Sequence, residues 1–166
     1  MRHPRFLLSV LAGSLLVVSS SIRADEICGR VVRVSDGDTI VVLDASNTQH
    51  KVRLSKIDAP EKAQPFGNVS RLHLAGMITN GPVRVSFSSR DKYGRILGVV
   101  FAGEVECNLR MVSDGYAWHY SYFDKSPEYA KAEIDARREK RGLWKEAAQA
   151  VPPWEWRKAR KGRGKK

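Results

Sequence analysis

Between Arg53 and Glu61 the chain reads Arg-Leu-Ser-Lys-Ile-Asp-Ala-Pro-Glu, which places one arginine and two carboxylates, Asp58 and Glu61, close together. Carboxylate oxygens suit a hard divalent cation such as Mg²⁺ or Ca²⁺, and the planar fork of an arginine suits a phosphate. The same residues would also serve as a solvated loop with two acids, and this stretch alone leaves both readings open. Two other stretches carry related chemistry. Asp36-Gly37-Asp38-Thr39 concentrates carboxylates in a short turn, and Asp91-Lys92-Tyr93-Gly94-Arg95 ends in a second arginine. Together they hold what phosphodiester hydrolysis requires: a base for water, positive charge for the equatorial oxygens and help for the leaving oxygen.

The elements that must position these groups follow from the pattern around them. Val52, Leu54 and Ile57 suit a buried strand face, whereas Ala59-Pro60 cannot extend a central strand, because proline lacks the ladder N–H and forces its predecessor into a turn or extended form. A third strand over about 49–56 is therefore expected to deliver Asp58 at its end. Residues 27–34 alternate apolar and basic and 39–43 are β-branched, so the Asp-Gly between them predicts a hairpin. Residues 66–79 predict a helix with Val69, Leu72, His73, Gly76 and Met77 on one face, stopped by Asn80-Gly81-Pro82, with His73 a packed residue rather than a ligand. Strands are predicted over 83–87 and 96–101, and helices over 108–114 and 127–141, closed by Gly115 and Gly142. Five short strands interrupted by a helix, with helices appended, predict an α+β fold built on a small closed barrel.

The ends of the chain differ from this middle. Arg2, His3 and Arg5 precede an apolar run over 6–18 and a serine stretch, the layout of a secretory signal peptide cleaved after Ala24; an uncleaved anchor is the alternative. Lys and Arg number 29 against 18 Asp and Glu, a formal charge of +11. Three of these bases lie in the leader and seven in the last ten residues, so residues 25–156 are nearly neutral. The folded domain is expected over 25–150. Residues 151–166 are expected to be a disordered basic arm that raises affinity for polyanions, with Pro152-Pro153 marking the boundary. Two cysteines in an exported protein usually pair, so a Cys28–Cys107 disulfide is expected. Four-thiolate metal sites are excluded by count.

The ordered motifs DGDT, VRLSKIDAPE and DKYGR, over about 31–144, resemble those of the staphylococcal nuclease (thermonuclease) family. The resemblance implies a five-stranded OB-fold barrel with three helices and a Ca²⁺-dependent phosphodiesterase acting on DNA and RNA. It implies Asp38 and Asp58 as carboxylate ligands of Ca²⁺, with the backbone carbonyl of Ala59 beside them, at a position that is often threonine in the family. Arg53, Glu61 and Arg95 match its catalytic trio, and Lys92 and Tyr93 match residues that approach a terminal phosphate. Tyr120 and Tyr122 lie after the second helix where the spacing slips, so that either or neither matches the family's stacking residue. Glu61 is assigned the general base and Asp36 the orientation of the turn. Single-stranded or breathing regions would be preferred, with little base readout. The expected protein is a monomer without a transmembrane segment once the leader is removed, exported to the periplasm or secreted. Two other classes share some of these features: a non-catalytic OB-type nucleic-acid binder, and an envelope protein whose tail binds acidic polymers.

Overall fold

Alternation of apolar and basic residues gives β1 (Asp25–Asp36), a long strand with one face toward the core. The computed structural model describes residues 25–163. The expected leader, residues 1–24, lies outside the described residues.

β2 (Thr39–Asp44) pairs back on β1 with Asp36 opposite Thr39, so Gly37 and Asp38 alone make the turn, as the Asp-Gly signal predicted. β3 (Gln49–Leu54) follows antiparallel, with Arg53 opposite Thr39. This strand stops earlier than expected. Ser55 and Lys56 form a turn, Lys56 adopting φ 67°, and the chain resumes as β4 (Ile57–Asp58), which pairs with a distant segment. A left-handed lysine costs about 1 kcal/mol. Its ammonium lies 4.8 Å from the centroid of the Tyr129 ring and within 3.3 Å of Ser126 Oγ, contacts that help to hold it there.

Helix α1 (Gly67–Ile78) crosses next, and β5 (Pro82–Arg90) and β6 (Ile96–Ala102) form the second hairpin. The strands run in the order β3-β2-β1-β5-β6, and β6 closes on β3 in parallel, Val52 against Ile96 and Arg53 against Leu97. The result is the five-stranded closed barrel of an OB-fold. A short β7 (Val105–Glu106) extends the β6 edge, and α2 (Cys107–Ser113) follows. β8 (Trp118–His119) is the partner of β4. Then come α3 (Pro127–Arg138), a 3-10 segment (Gly142–Gln149) and α4 (Pro153–Arg163).

Ile40, Val42, Val52, Leu54, Val85, Ile96 and Val100 fill the barrel, and Leu74, Ile78, Met111 and Tyr129 cover it from the helices. A second cluster of Trp118, Ala136, Leu143 and Trp144 packs α3 and the 3-10 segment against β8. The buried stripe of α1 is Gly67, Ser70, Leu74 and Ile78, not the predicted face; Val69 and Leu72 are exposed. Polar Ser70 lies inside because its hydroxyl donates to the Tyr116 carbonyl at 2.7 Å. His73 is a packed residue, as predicted, stacked on Tyr116 and bonded to Asp114.

Two expectations are corrected. Cys28 is exposed on β1 and Cys107 is fully buried in the core, so both thiols are free and no disulfide joins them. The arm expected to be disordered from residue 151 is helical over Pro153–Arg163 and adds a fourth α-helix to the three predicted. Pro153 occupies the first helical position, where its missing N–H costs nothing. Trp154 stacks in parallel on Tyr120, ring centroids 5.6 Å apart, which docks the helix on the body. Among the described residues no helix is long and apolar enough to cross a membrane.

Candidate active site

The β1–β2 turn places Asp38 against the strand end that carries Asp58. Gly37 makes this approach possible: a Cβ there would lie 2.0 Å from Ser70 Oγ and 2.7 Å from Ala59 Cβ. The glycine serves close contact, since its φ is not left-handed. Asp36 Oδ1 accepts from the Asp38 N–H at 3.1 Å, and Asp38 Oδ1 accepts from the Thr39 hydroxyl at 3.0 Å. Asp38 Oδ2 accepts from the Ala59 N–H at 2.8 Å, which ties the turn to the Asp58–Pro60 stretch.

Arg53 binds the two aspartates together. Its Nη2 lies 3.1 Å from Asp38 Oδ2 and 3.0 Å from Asp58 Oδ1, while Nη1 donates to the carbonyls of Leu54 and Ile57. Those carbonyls flank the Ser55–Lys56 turn, so the break in the strand is what wraps the backbone around the guanidinium. Asp58 is 1% and Asp38 6% exposed. Burial pushes the Asp36 carboxyl up to about 7, with the Asp38 charge beside it adding to the effect. Burial also raises Asp58, against the opposing pull of Arg157 and Arg53 and with a further push from Asp38.

These features fit a hard cation. One oxygen from each aspartate converges on a single nitrogen, so the pair can face one positive centre, and all its donors are carboxylate oxygen. Among the described residues no group of three acidic, histidine or cysteine side chains forms a metal cluster. The remaining ligands of a cation would therefore come from backbone oxygen, as proposed for Ala59, or from water and substrate.

Glu61 lies just beyond, its backbone N–H donating to Gln64 Oε1 at 3.1 Å. It reaches Asp58 through a residue the sequence reading placed in the arm. Arg157 of α4 donates from Nη1 to Glu61 Oε1 at 2.8 Å and to Asp58 Oδ1 at 3.1 Å, and from Nη2 to Asp58 Oδ2 at 2.8 Å. The tryptophans at 154 and 156 were the available signal, since aromatic residues directly after Pro152-Pro153 argue for a docked segment. The other missed residues are polar and buried. Gln64 spans from the Glu61 N–H to the Val151 carbonyl, and Asn108 bonds Val100, Ser55 and Gly98.

The third motif forms a separate unit at the β5–β6 turn. Arg95 donates from Nε, and places Nη2, at 2.7 Å from Asp91 Oδ2, which leaves Nη1 free of these contacts. Lys92 and Arg95 both approach the ring of Tyr93, which is 72% exposed. Arg95 stands just before β6, two residues ahead of Leu97, the parallel partner of Arg53. No direct bond joins it to the carboxylates among the described residues. Tyr120 is covered on one side by Trp154 and packs edge-on with Phe123, whereas Tyr122 is 79% exposed.

Fold and site thus define an OB-fold protein with an acidic, arginine-bridged cluster on its barrel wall. The family model described as Staphylococcal nuclease homologue matches residues 51–146, and the chain belongs to that family. It is 43% identical over 144 residues to an "Uncharacterized endonuclease" of Escherichia coli, covering 86% of this chain and 93% of that one. It is 42% identical over 164 residues to a "Micrococcal nuclease" of Shigella flexneri, covering 92% of each. A further "Uncharacterized endonuclease", from Haemophilus influenzae, is 37% identical over 161 residues, 97% of this chain and 89% of that one. The family model begins after Asp38 and ends before Arg157.

Proposed function

We propose that the chain is a Ca²⁺-dependent endonuclease that hydrolyses phosphodiester bonds of DNA and RNA with little sequence preference. The observation that carries this reading is the single guanidinium of Arg53 bridging Asp38 and Asp58, two residues from separate motifs, with Glu61 tied to the same Asp58. A solvated acidic loop would not bury both aspartates and bind them to one nitrogen. Family membership, and the names endonuclease and micrococcal nuclease borne by relatives, point the same way.

In this reading Asp38, Asp58 and the Ala59 carbonyl hold the cation. Bound Ca²⁺ would supply a Lewis acid that polarises a phosphate oxygen. Glu61, the acid of the cluster that is not needed as a ligand, takes the proton of the attacking water. Arg53 is held beside the carboxylates by backbone carbonyls, and Arg95 offers its Nη1 edge, so the two arginines would place positive charge next to the equatorial oxygens. Lys92 and Tyr93 lie beside Arg95 and would meet a terminal phosphate, while exposed Tyr122, or the outer face of Tyr120, would stack on a base. The protein would act as an exported monomer, the export resting on the leader pattern.

The test is degradation of linear duplex DNA, single-stranded DNA and RNA by the purified protein, with Ca²⁺ and with excess chelator. The expected result is cleavage of all three, fastest for single strands, abolished by chelator and restored by Ca²⁺. Retention of nucleic acid without cleavage would identify a binding module instead, and neither binding nor cleavage would remove nucleic acid as the substrate.

A further inference from the structure

Helix α4 is anchored from several directions. Trp154 stacks on Tyr120 and packs against the second hydrophobic cluster, and Pro153 is buried. The Val151 carbonyl, just before the helix, accepts from Gln64 Nε2 at 2.7 Å, and the same Gln64 receives the Glu61 N–H. The loop carrying Glu61 and the start of α4 are therefore fastened to one buried side chain. Arg157 then points from the first turns of the helix onto the carboxylates.

Its contacts are more specific than general charge attraction. The guanidinium is bidentate on Asp58 and shares Nη1 with Glu61. Among the described residues it is the hydrogen-bond partner of the Glu61 carboxylate, which is otherwise open to solvent, with 38% of its side chain exposed. A carboxylate on a loop, half exposed and without such a clamp, would sample several rotamers.

We propose that Arg157 is a positioning residue of the site, holding the Glu61 carboxylate against Asp58, so that the C-terminal helix completes the active centre rather than trailing from it. The inference rests on the nuclease reading above and assigns a role to a residue outside the span matched by the family model. It carries a distinctive consequence. A fixed cation bonded to Asp58 opposes the entry of a second cation at that carboxylate, yet it orders the group that acts as base. Removing it should therefore ease cation binding while slowing turnover. A residue that merely supports the fold would move both in the same direction.

The experiment compares full-length wild type, Arg157→Gln, Arg157→Lys and Trp154→Ala. Ca²⁺ affinity is measured by calorimetry, turnover on a short dinucleotide ester and thermal unfolding by circular dichroism. Arg157→Gln is expected to lower kcat about 100-fold, the size of effect that a misplaced base produces. Its Ca²⁺ affinity should tighten, by up to about tenfold. Arg157→Lys, which keeps the charge and can keep one of the bonds, should recover part of the rate. Trp154→Ala, which loosens the helix while leaving Arg157 in the chain, should shift turnover and affinity in the same directions as Arg157→Gln. Turnover of Arg157→Gln within twofold of wild type would overturn the proposal. Faster turnover would also overturn it, by making Arg157 an obstruction, and a joint loss of turnover and Ca²⁺ affinity would reduce α4 to a scaffold. Absence of chelator-sensitive hydrolysis in the wild type would instead refute the nuclease reading itself.

Discussion

Replacing Gly37 by alanine should damage both stability and chemistry, because the hairpin turn has no room for a methyl group. The added Cβ would stand 2.0 Å from Ser70 Oγ and 2.7 Å from Ala59 Cβ, each well inside van der Waals contact. Ser70 cannot simply rotate away, since it is fully buried and its hydroxyl satisfies the Tyr116 carbonyl. Ala59 cannot yield either without moving the backbone that binds Asp38. Overpacking of this kind costs about 1–3 kcal/mol, and loss of the buried hydrogen bond a similar amount, so about 2–6 kcal/mol is expected in total. In urea the unfolding midpoint should fall by about 1 M or more. Ser70→Ala in the Gly37→Ala background should recover only part of the loss, because the contact with Ala59 remains. Ca²⁺ affinity should weaken together with stability as Asp38 moves relative to Asp58. A midpoint within 0.2 M of wild type, with unchanged Ca²⁺ affinity, would refute the close approach of turn, helix and Ala59 on which the site is built.

Other substitutions test separate parts of the account. Glu61→Gln should lower turnover by about two to four orders of magnitude with an unchanged urea midpoint, measured on a short phosphodiester. Arg53→Lys should lose both rate and about 1–3 kcal/mol of stability, because lysine cannot span Asp38, Asp58 and two carbonyls at once; unfolding and turnover measured together check this. Asp91→Asn should slow turnover roughly tenfold by releasing Arg95, with Ca²⁺ affinity preserved. Thiol titration of the native protein at pH 8 should find one reactive group, exposed Cys28, and a second only after unfolding, since burial pushes Cys107 up to about 11.

Sequence pattern marked which charged side chains would be brought together more fully than the elements around them. Arg53, Asp58 and Glu61 were legible because a strand end, a proline and three charged groups fall in one short stretch, and Asp38 because Asp-Gly between β-rich runs specifies a turn. The strand break at Ser55–Lys56 was not legible. It depends on a left-handed lysine held by tertiary contacts with Tyr129 and Ser126, and no glycine or proline announces it. The face of α1 was misread because its buried stripe includes Ser70, whose burial rests on a partner 46 residues away. The disulfide expectation used compartment and the placing of the two cysteines at either end of the barrel region, whereas pairing depends on geometry, and they occupy an exposed strand face and the core. Arg157 was hidden by its neighbours. Counted with the other bases of the last ten residues it reads as part of a polycation, and only the docking of Trp154 and the partners of its guanidinium separate it from them.

In the proposed reading phosphodiester cleavage depends on a single cation site formed by Asp38 and Asp58 and bridged by Arg53. This dependence is tested most directly by titrating Ca²⁺ into chelator-stripped protein while following hydrolysis of a short dinucleotide ester, in wild type and in Asp58→Asn. Wild-type activity should rise from zero along a one-site saturation curve, and Asp58→Asn should stay inactive at Ca²⁺ concentrations that saturate the wild type. Hydrolysis that proceeds without Ca²⁺, or an Asp58→Asn curve that superimposes on that of the wild type, would contradict it.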